Sequence, residues 1–178
     1  MLAKIIAAFL LLITLPFLVF IALLIYSFER DTILFTQQRL GKDKKYFTLY
    51  KIRTMQQNKI TSLGNLLRKT GIDEIPQLYN IIIGDINFIG PRPLAQVDVD
   101  RLGWNTNYYK KRWTVKPGLT GLAQLSPICH KKMTYFWDNY YVNNKSSFLK
   151  LKIIVASGLS LIIGKNKVKK IIKYKLKK

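Results

Sequence analysis

The stretch TGIDEIPQLYN, residues 70–80, places two adjacent carboxylates, Asp73 and Glu74, at the start of a strongly apolar segment. Thr70 followed three residues later by an acid is typical of a helix N-terminus, and Pro76 is best tolerated in the first turn of a helix. The stretch therefore predicts a helix that begins between Thr70 and Asp73 and carries the acidic pair in its first turn.

The position of this pair in the first turn of a predicted helix suggests a catalytic or binding role. Unsatisfied N–H groups at a helix N-terminus stabilise an ionised acid or an incoming phosphate. Because neighbouring side chains on a helix point about 100° apart, Asp73 and Glu74 would do different work. One could attack or hold a metal, and the other could position a group or relay a proton. Acids are also common in the first turn of any helix, so the pair alone does not identify a site.

Composition sets outer bounds on the class of protein. The chain has 178 residues, enough for one modest domain and an apolar segment. Its single cysteine, Cys129, excludes an internal disulfide framework. Cys129 and His130 lack companions at metal-ligand spacing, so we interpret them as structural.

The charge balance calls for an anionic partner. Thirty Lys and Arg face nine Asp and Glu, a net charge of +21. Nucleic acid is one candidate, since basic residues interleaved with aromatic ones are its usual footprint. Anionic lipid is the other, because each Lys or Arg near a membrane surface contributes about 1 kcal/mol.

The N-terminal segment favours the membrane. Residues 5–28 carry no charge and are long enough to cross a hydrocarbon core of about 30 Å. Pro16, near the middle, removes one helical hydrogen bond and predicts a kink. The segment either spans the bilayer with a kink or re-enters on the same side, and charge flanks alone slightly favour spanning.

Two short strands with basic residues at their exit follow. Residues 32–36 and 46–52 read as strands of a small hairpin. Lys51, Arg53 and Thr54 then stand close together, and an ammonium, a guanidinium and a hydroxyl could clamp a phosphate. A solvated basic edge is the alternative.

The segments on either side of the acidic pair supply two more candidate cations. Residues 61–69 predict a short helix with Arg68 near its end, where a cation could pair with a phosphate or simply complement the helix terminus. The apolar helix after the pair should end at Gly84. The turn GPRP, residues 90–93, then presents Arg92 with little conformational freedom, which lowers the cost of gripping an anion.

The remaining basic segments resemble membrane-surface elements. Residues 95–116 are predicted to be partly helical, with Trp and Tyr among Lys and Arg, a mixture that suits lipid headgroups and single-stranded nucleic acid equally. Residues 116–121 predict a turn-rich loop. Residues 153–163 are too short to span a bilayer, and the lysine-rich tail 165–178 is either an interfacial helix or a disordered basic tail.

Several short motifs together resemble one family. The stretches are FTQQRLG (35–41), KIRTM (51–55), DEIPQL (73–78) with Asn80, Gly84-Asp85, GPRP (90–93), KPGLTG (116–121) with Gln124, and DNYYV (138–142). In this order they resemble the bacterial sugar transferases, the monotopic polyprenyl-phosphate phosphoglycosyl transferases of the small single-domain type. The resemblance runs from residue 33 to about 152.

The resemblance implies an activity. A phosphosugar would pass from a UDP-sugar to polyprenyl phosphate, in practice undecaprenyl phosphate, with release of UMP, as a first membrane step of a bacterial glycan pathway. Asp73 would form an aspartyl-phosphosugar intermediate, Glu74 would assist, and Mg²⁺ would be held at Asp73 and Glu74. Substrate contacts would come from Lys51, Arg53, Thr54, Arg68, Arg92 and Asp138.

The resemblance also implies an architecture. The fold would be α+β and predominantly helical, with a proline-broken re-entrant membrane helix, a small β-hairpin, a catalytic helix and interfacial amphipathic helices. Residues 1–30 would be membrane-embedded, 31–152 the catalytic domain on the cytoplasmic face of the inner membrane, and 153–178 an interfacial helix and polybasic tail. Anionic lipids would be partners, and no nucleic acid is expected.

This chain departs from the family pattern at three points. No acidic residue lies early in the N-terminal segment, and Leu15 precedes Pro16 where a serine often stands. After Gln124, residues 125–130 replace an asparagine-glycine-arginine run, so Lys131 or Lys132 would have to substitute for that arginine. The sugar and the oligomeric state stay open, and a membrane-tethered nucleic-acid-binding protein or a non-catalytic membrane scaffold are the alternative functions.

Overall fold

A computed structural model of the chain describes residues 1–30, 32–126, 131–163 and 168, apart from the side chains of 161–163. This part of the chain is mostly helical, with small two-stranded sheets and one long apolar N-terminal helix. The predictions for Cys129 and His130, and nearly all of the prediction for the tail 165–178, lie outside the described residues.

The elements follow the chain in this order. The helices are α1 (Leu2–Glu29), α2 (Ser62–Thr70), α3 (Gln77–Ile83), α4 (Gln96–Leu102), α5 (Leu122–Leu125), α6 (Lys131–Asn143) and α7 (Ser147–Ile163). The strands are β1 (Leu34–Leu40), β2 (Tyr46–Ile52), β3 (Met55–Gln56), β4 (Lys59–Ile60), β5 (Asn87–Ile89) and β6 (Gly118–Thr120). Short 3₁₀ segments lie at Lys42–Lys44, Ile72–Glu74 and Asn107–Thr114.

The N-terminal helix is continuous. α1 runs through Pro16 and ends where Arg30 adopts a left-handed conformation with φ of 47°. Its most apolar 18-residue window has a mean hydropathy of 3.0, and only 11% of that window is buried in the protein. A helix this long and this apolar is able to cross a membrane, while the re-entrant path stays a prediction.

The chain divides into two compact units. The first consists of Met1–Gln38 and Thr48–Asp85, and the second of Arg39–Phe47 and the described residues from Ile86 onward. β1 and β2 pair in a two-stranded sheet, as predicted, and both strands contribute residues to each unit. The predicted boundary between 152 and 153 falls inside α7.

The core of the first unit joins the N-terminal helix to the acidic segment. Ile21 and Ile25 of α1 pack with Ile52 of β2 and Leu67 of α2, and each of the four is at most 4% exposed. α1 also lies against α3, the helix that follows the acidic pair. Burial of these aliphatic side chains fixes the first unit around its apolar helix.

Asn80 ties α3 to β2. Its side chain is fully buried, donates to the carbonyl of Thr48 at 2.7 Å and to Asp85 Oδ2 at 3.1 Å, and accepts from the backbone N–H of Tyr50 at 3.2 Å. A buried amide that makes three hydrogen bonds holds two elements in register. Asn80 was quoted as part of a motif, but its structural role was not predicted.

The predicted start of the catalytic helix is wrong. Thr70 ends α2 instead of capping a new helix, and its hydroxyl donates to the carbonyl of Leu66 at 2.9 Å. Gly71, with φ of 76°, closes α2, and the acidic pair then occupies the 3₁₀ turn Ile72–Glu74. The spacing from Thr70 to Asp73 imitates a capping box, but the preceding helix already uses Thr70 in its last turn.

The second unit has an aromatic core and an aliphatic one. The aromatic core contains Leu40, Leu94, Val99, Trp104, Trp113 and Tyr135. The aliphatic core contains Ile89, Leu125, Tyr141 and Ile153. β5 pairs with β6 in parallel, so the segment predicted as a turn-rich loop at 116–121 contains a strand.

The mixed aromatic and basic region is only partly a surface. Trp104 is fully buried, Trp113 is 5% exposed and Arg112 is 2% exposed, whereas Tyr108 is 72% exposed. The expectation that these aromatic and basic residues lie at a surface, among lipid headgroups or against single-stranded nucleic acid, is therefore wrong for both tryptophans and for Arg112. The same burial removes these aromatic rings from any nucleic-acid surface.

We expect Asn80→Ala to lower the free energy of unfolding by about 2 kcal/mol, because it leaves partly buried backbone groups of Thr48 and Tyr50 without partners. The matched control is Asn87→Ala, since Asn87 is exposed on β5 and surface substitutions change stability by no more than about 0.5 kcal/mol. Thermal unfolding of both variants in detergent tests this, and equal midpoints would contradict the structural role of Asn80.

Candidate functional site

The acidic pair lies on the 3₁₀ turn between α2 and α3. The backbone N–H of Glu74 donates to the carbonyl of Gly71 at 3.1 Å, which closes this turn. Asp73 is only 7% exposed, while 36% of the Glu74 side chain is exposed. The two carboxylates therefore sit in different environments, and the different roles predicted for them stay a prediction.

Lys51 lies directly against one member of the pair. Its Nζ is 2.7 Å from Glu74 Oε1, and the Lys51 side chain is 22% exposed. β2 ends just beyond Lys51 at Ile52, so the strand brings this ammonium to the acidic turn. A half-exposed ion pair of this kind adds little stability, and its main effect is to place a positive charge beside Glu74.

Thr54 and Arg68 form a second contact. Arg68 Nε donates to Thr54 Oγ1 at 2.7 Å, and Thr54 is 6% exposed whereas Arg68 is exposed. The backbone of Thr54 packs so tightly against Gly64 of α2 that a Cβ there would overlap the carbonyl of Thr54. The Thr54 hydroxyl thus holds the Arg68 guanidinium through Nε, and the packing of α2 against Thr54 keeps this hydroxyl in place.

Arg53 makes contacts near the end of the N-terminal helix. Its Nε donates to the carbonyl of Thr32 at 2.9 Å, and its backbone N–H donates to the carbonyl of Ile33 at 2.8 Å. These bonds tie residues 32–33 to the end of β2. The predicted role of Arg53 in phosphate binding stays a prediction beside this local structural role.

The first unit thus contains six of the predicted site residues. Lys51 contacts Glu74, and Arg68 contacts Thr54. Asp73 and Arg53 complete the group within the same unit. Arg92 and Asp138 belong to the second unit.

Arg92 and Asp138 occupy contrasting places in the second unit. The Arg92 side chain is exposed on the irregular segment after β5. Asp138 of α6 is 2% exposed, and its Oδ2 accepts from Arg112 Nε at 3.0 Å and lies 3.0 Å from Arg112 Nη2. This ion pair accounts for the burial of Asp138, and the predicted substrate contact stays a prediction.

Burial perturbs both members of that pair. Burial raises the pKa of Asp138, and the adjacent Arg112 charge and hydrogen bond partly oppose the shift. Burial likewise lowers the pKa of Arg112, opposed by Asp138. Each charge is therefore tolerated only because the other is present.

Sequence reasoning missed Arg112. Its guanidinium lies 4.4 Å from the Trp113 ring centroid and 5.1 Å from that of Trp104, and Nη2 also donates to the carbonyl of Arg92 at 2.8 Å. In the sequence Arg112 follows two lysines, which gave it the appearance of a surface cation. The neighbouring tryptophan was the available signal, because arginine packs on aromatic faces more readily than lysine.

Comparison with known proteins places the chain in a family. The model of a family described as "Bacterial sugar transferase" matches residues 1–164. The chain belongs to the bacterial sugar transferase family.

Several curated relatives resemble this sugar transferase. "Uncharacterized sugar transferase EpsL" of Bacillus subtilis is 38% identical over 74% of this chain and 71% of its own length. "Exopolysaccharide production protein PSS" of Rhizobium leguminosarum is 32% identical over 84% of this chain and 88% of its own. A "UDP-N-acetylgalactosamine-undecaprenyl-phosphate N-acetylgalactosaminephosphotransferase" of Aeromonas hydrophila is 31% identical over 84% of this chain, but this covers only 40% of that enzyme.

Asp73 and Glu74 are the adjacent carboxylates of this sugar transferase that could hold a metal ion. Among the described residues, no three His, Cys, Asp or Glu side chains are grouped as metal ligands. Mg²⁺ is usually held by one or two carboxylates together with substrate phosphates. Magnesium binding at Asp73 and Glu74 stays a prediction.

The Arg112–Asp138 pair of the sugar transferase gives a test by double substitution. We expect Asp138→Leu to destabilise the protein by about 3–5 kcal/mol, because it leaves a buried guanidinium uncompensated. Arg112→Met with Asp138→Leu should recover most of this loss, since neither charge then remains. Thermal unfolding of the single and double variants measures the difference, and a double variant as unstable as the sum of its parts would contradict it.

The single variant Arg112→Met adds a check on the sign of the pKa shift. Without Arg112, burial alone raises the pKa of Asp138 above its ordinary 3.8. The folded state then binds a proton more readily than the unfolded state, so stability should fall as the pH rises from about 4 towards neutrality. Unfolding midpoints that rise over this range would show that Asp138 is not held in an apolar environment.

Proposed function

We propose that this sugar transferase transfers a phosphosugar from a UDP-sugar to polyprenyl phosphate and releases UMP. The observation that carries the proposal is a nearly buried carboxylate, Asp73, next to a second acid that is paired with Lys51. The name of the Aeromonas relative supports the same donor and acceptor classes. So does that of a Klebsiella pneumoniae relative, a "UDP-glucose:undecaprenyl-phosphate glucose-1-phosphate transferase". This relative is 30% identical over 91% of this chain and 39% of its own length.

Asp73 is the proposed nucleophile. One carboxylate oxygen attacks the phosphorus that bears the sugar, a bond from that oxygen to phosphorus forms, and the bond from phosphorus to the UMP oxygen breaks. UMP leaves with that electron pair, and an aspartyl-phosphosugar remains on the enzyme. Burial keeps water away from this acyl phosphate, which would otherwise be hydrolysed.

The acceptor then regenerates the enzyme. An oxygen of polyprenyl phosphate attacks the same phosphorus, and the bond between phosphorus and Asp73 breaks. The products are a polyprenyl-diphosphate sugar and a free carboxylate. Two displacements of this kind let a water-soluble donor and a lipid acceptor use one site in turn.

Glu74 and Lys51 manage charge around the nucleophile. Mg²⁺, held by Asp73, Glu74 and the donor diphosphate, would supply neutralising charge during the displacements. Lys51 holds Glu74 at 2.7 Å and can contact the phosphate oxygens as a point charge. The ion pair thereby holds the Glu74 carboxylate in one orientation.

Further cations are proposed to grip the donor. Arg68, anchored on Thr54, presents a fork suited to phosphate oxygens, and Arg53 lies one residue before Thr54 in the same unit. Arg92 is proposed to bind an anionic part of the substrate from its exposed position on the second unit. Asp138 would act near substrate only through its partner Arg112.

The membrane position follows from the acceptor. We propose that α1 is kinked at Pro16 within the inner membrane, so that both of its ends lie on the cytoplasmic face, and that α7 lies in the interface. Phe148, Leu151, Ile154, Val155 and Leu159 of α7 are each at least 45% exposed, with Lys150 and Lys152 between them. Such a helix binds anionic lipid through both apolar area and charge.

The first experiment is UMP release by membranes that contain the protein, given a panel of UDP-sugars, polyprenyl phosphate and Mg²⁺. We expect release with at least one donor and loss of at least about a thousandfold in Asp73→Asn, since an amide is a far weaker nucleophile. The control is Asp43→Asn. Asp43 is exposed with φ of 55°, a left-handed conformation that asparagine also adopts.

Two outcomes of this assay oppose the proposal. UMP release that persists in Asp73→Asn would show that Asp73 is not the nucleophile. UMP release that is unchanged by chelation with EDTA would show that the reaction does not need Mg²⁺. An equal loss of UMP release in Asp43→Asn would show that the loss comes from the membrane preparation and not from the change of the nucleophile.

The re-entrant path is tested by labelling single cysteines with a membrane-impermeant maleimide. In a Cys129→Ser background, Leu2→Cys and Phe28→Cys place a thiol near each end of α1, at positions 71% and 80% exposed. We expect both to react only after spheroplasts are lysed, as should Asp43→Cys, which lies on the second unit. Reaction of Leu2→Cys in intact spheroplasts would show that the helix spans the membrane.

A further inference from the structure

The segment that carries Arg92 is held by its carbonyl groups. Pro91 and Pro93 have no N–H groups, so this stretch cannot form an ordinary ladder of backbone hydrogen bonds. Four successive carbonyls instead accept bonds from four other places in the second unit. Gly118 N donates to Pro91 at 2.9 Å, Arg112 Nη2 to Arg92 at 2.8 Å, Arg39 Nη1 to Pro93 at 3.4 Å and Leu40 N to Leu94 at 2.8 Å.

The start of the segment is fixed by packing as well. Gly90 lies so close to the backbone of residues 116–118 that a Cβ would come within 2.6 Å of the Lys116 carbonyl oxygen. Its N–H also donates to the carbonyl of Thr120 at 2.9 Å. The backbone is therefore held from Gly90 to Leu94, while the side chain of Arg92 is exposed.

Arg112 supplies the bond to Arg92, and Arg112 is itself held firmly. Asp138 Oδ2 lies 3.0 Å from both Nε and Nη2, and the guanidinium packs near the rings of Trp104 and Trp113. Both charged residues are 2% exposed. The donor that reaches Arg92 thus has almost no conformational freedom.

Stability alone does not explain this arrangement. Replacing a buried ion pair by apolar side chains of similar volume is often neutral or stabilising. A planar guanidinium can, however, bond a carboxylate and a carbonyl at the same time, which an apolar pair cannot do. The feature that needs arginine here is the hydrogen bond to the carbonyl of Arg92.

The surroundings of Arg92 favour an anion. Burial lowers the pKa of Arg39, and the nearby positive charge of Arg92 lowers it further, while Asp98 opposes both. Asp98 Oδ2 pairs with Arg39 Nη1 at 3.2 Å, whereas the exposed guanidinium of Arg92 is the side chain of this segment that remains directed to an outside anion. A cationic side chain on a rigid backbone also loses less entropy when it binds.

We propose that Arg112 and Asp138 are positioning residues for Arg92, and that their ion pair fixes the carbonyl of Arg92 so that its side chain is preset to bind an anionic group of the UDP-sugar. This inference rests on the proposed function for the identity of that anion. It gives Asp138 a role that needs no contact with substrate, and it adds Arg112 to the residues on which donor binding depends.

The test compares the same substitution in two backgrounds. Arg112→Met with Asp138→Leu replaces the ion pair by apolar side chains, both in the wild type and in Arg92→Ala, and kcat/KM for the UDP-sugar is measured by UMP release. With Arg92 present we expect a loss of roughly tenfold to a hundredfold, the scale for misplaced binding groups, mainly as a higher KM. In the Arg92→Ala background the same two substitutions should lower kcat/KM by no more than about twofold, because no binding group is left to misplace.

Two controls keep the test decisive if the double variant folds poorly. Arg112→Lys keeps the charge next to Asp138, but its single nitrogen cannot occupy both the Nε and Nη2 positions. It should therefore raise KM in the same way while it keeps the wild-type unfolding midpoint. Hydrogen–deuterium exchange of the peptide that covers residues 88–96 should become faster in both variants.

Three results would overturn the positioning role. These are equal losses in the two Arg92 backgrounds, wild-type KM in Arg112→Lys, and unchanged exchange of the 88–96 peptide. Wild-type protein that releases no UMP with any donor would instead defeat the proposed function. The exchange experiment would still decide whether the ion pair holds this segment.

Discussion

Charge is the constraint on which this structure depends. In the proposed reaction the Asp73 carboxylate attacks a phosphate whose oxygens carry charge of the same sign, so neighbouring cations are needed to reduce the repulsion. The first unit meets this need with Lys51 at 2.7 Å from Glu74 and with Arg68 anchored on Thr54. The hydrogen bonds of Asn80 keep α3 joined to β2, and thus keep the acidic turn before α3 close to the strand that carries Lys51.

The second unit solves a different problem, which is how to hold an irregular backbone. Prolines at 91 and 93 remove two donors, and the carbonyls of residues 91–94 take their partners from Arg39, Leu40, Arg112 and Gly118. Burying a guanidinium carries a large desolvation penalty, which one hydrogen bond to a carbonyl does not offset. Its retention beside Asp138 is understandable if the conformation at Arg92 matters for binding.

The sequence predicted the elements whose signals are local. The bounds of β2 match the prediction, α2 begins at a Thr61 cap and ends at Gly71, and Gly84 ends α3 as expected. The helix start at Thr70 was misplaced because two overlapping signals, the end of one helix and the apparent cap of the next, fell on the same residue. Competition of this kind is resolved by packing, which a single sequence does not display.

The site was predictable in its residue types but not in its partners. Asp73, Glu74 and their flanking cations stand out because acids are rare in a chain with a net charge of +21. The pairing of Lys51 with Glu74 joins residues 23 positions apart, and that of Arg112 with Asp138 joins residues 26 apart. Such contacts depend on how elements pack, and this is why the sequence did not single out Arg112.

The most direct test of the account is isotope exchange between UMP and UDP-sugar in the absence of any lipid acceptor. If Asp73 forms an aspartyl-phosphosugar, labelled UMP should enter the UDP-sugar pool with the wild-type protein alone, and this exchange should disappear in Asp73→Asn. Exchange that requires polyprenyl phosphate, or that persists in Asp73→Asn, would contradict the covalent intermediate and with it the role given to the acidic turn.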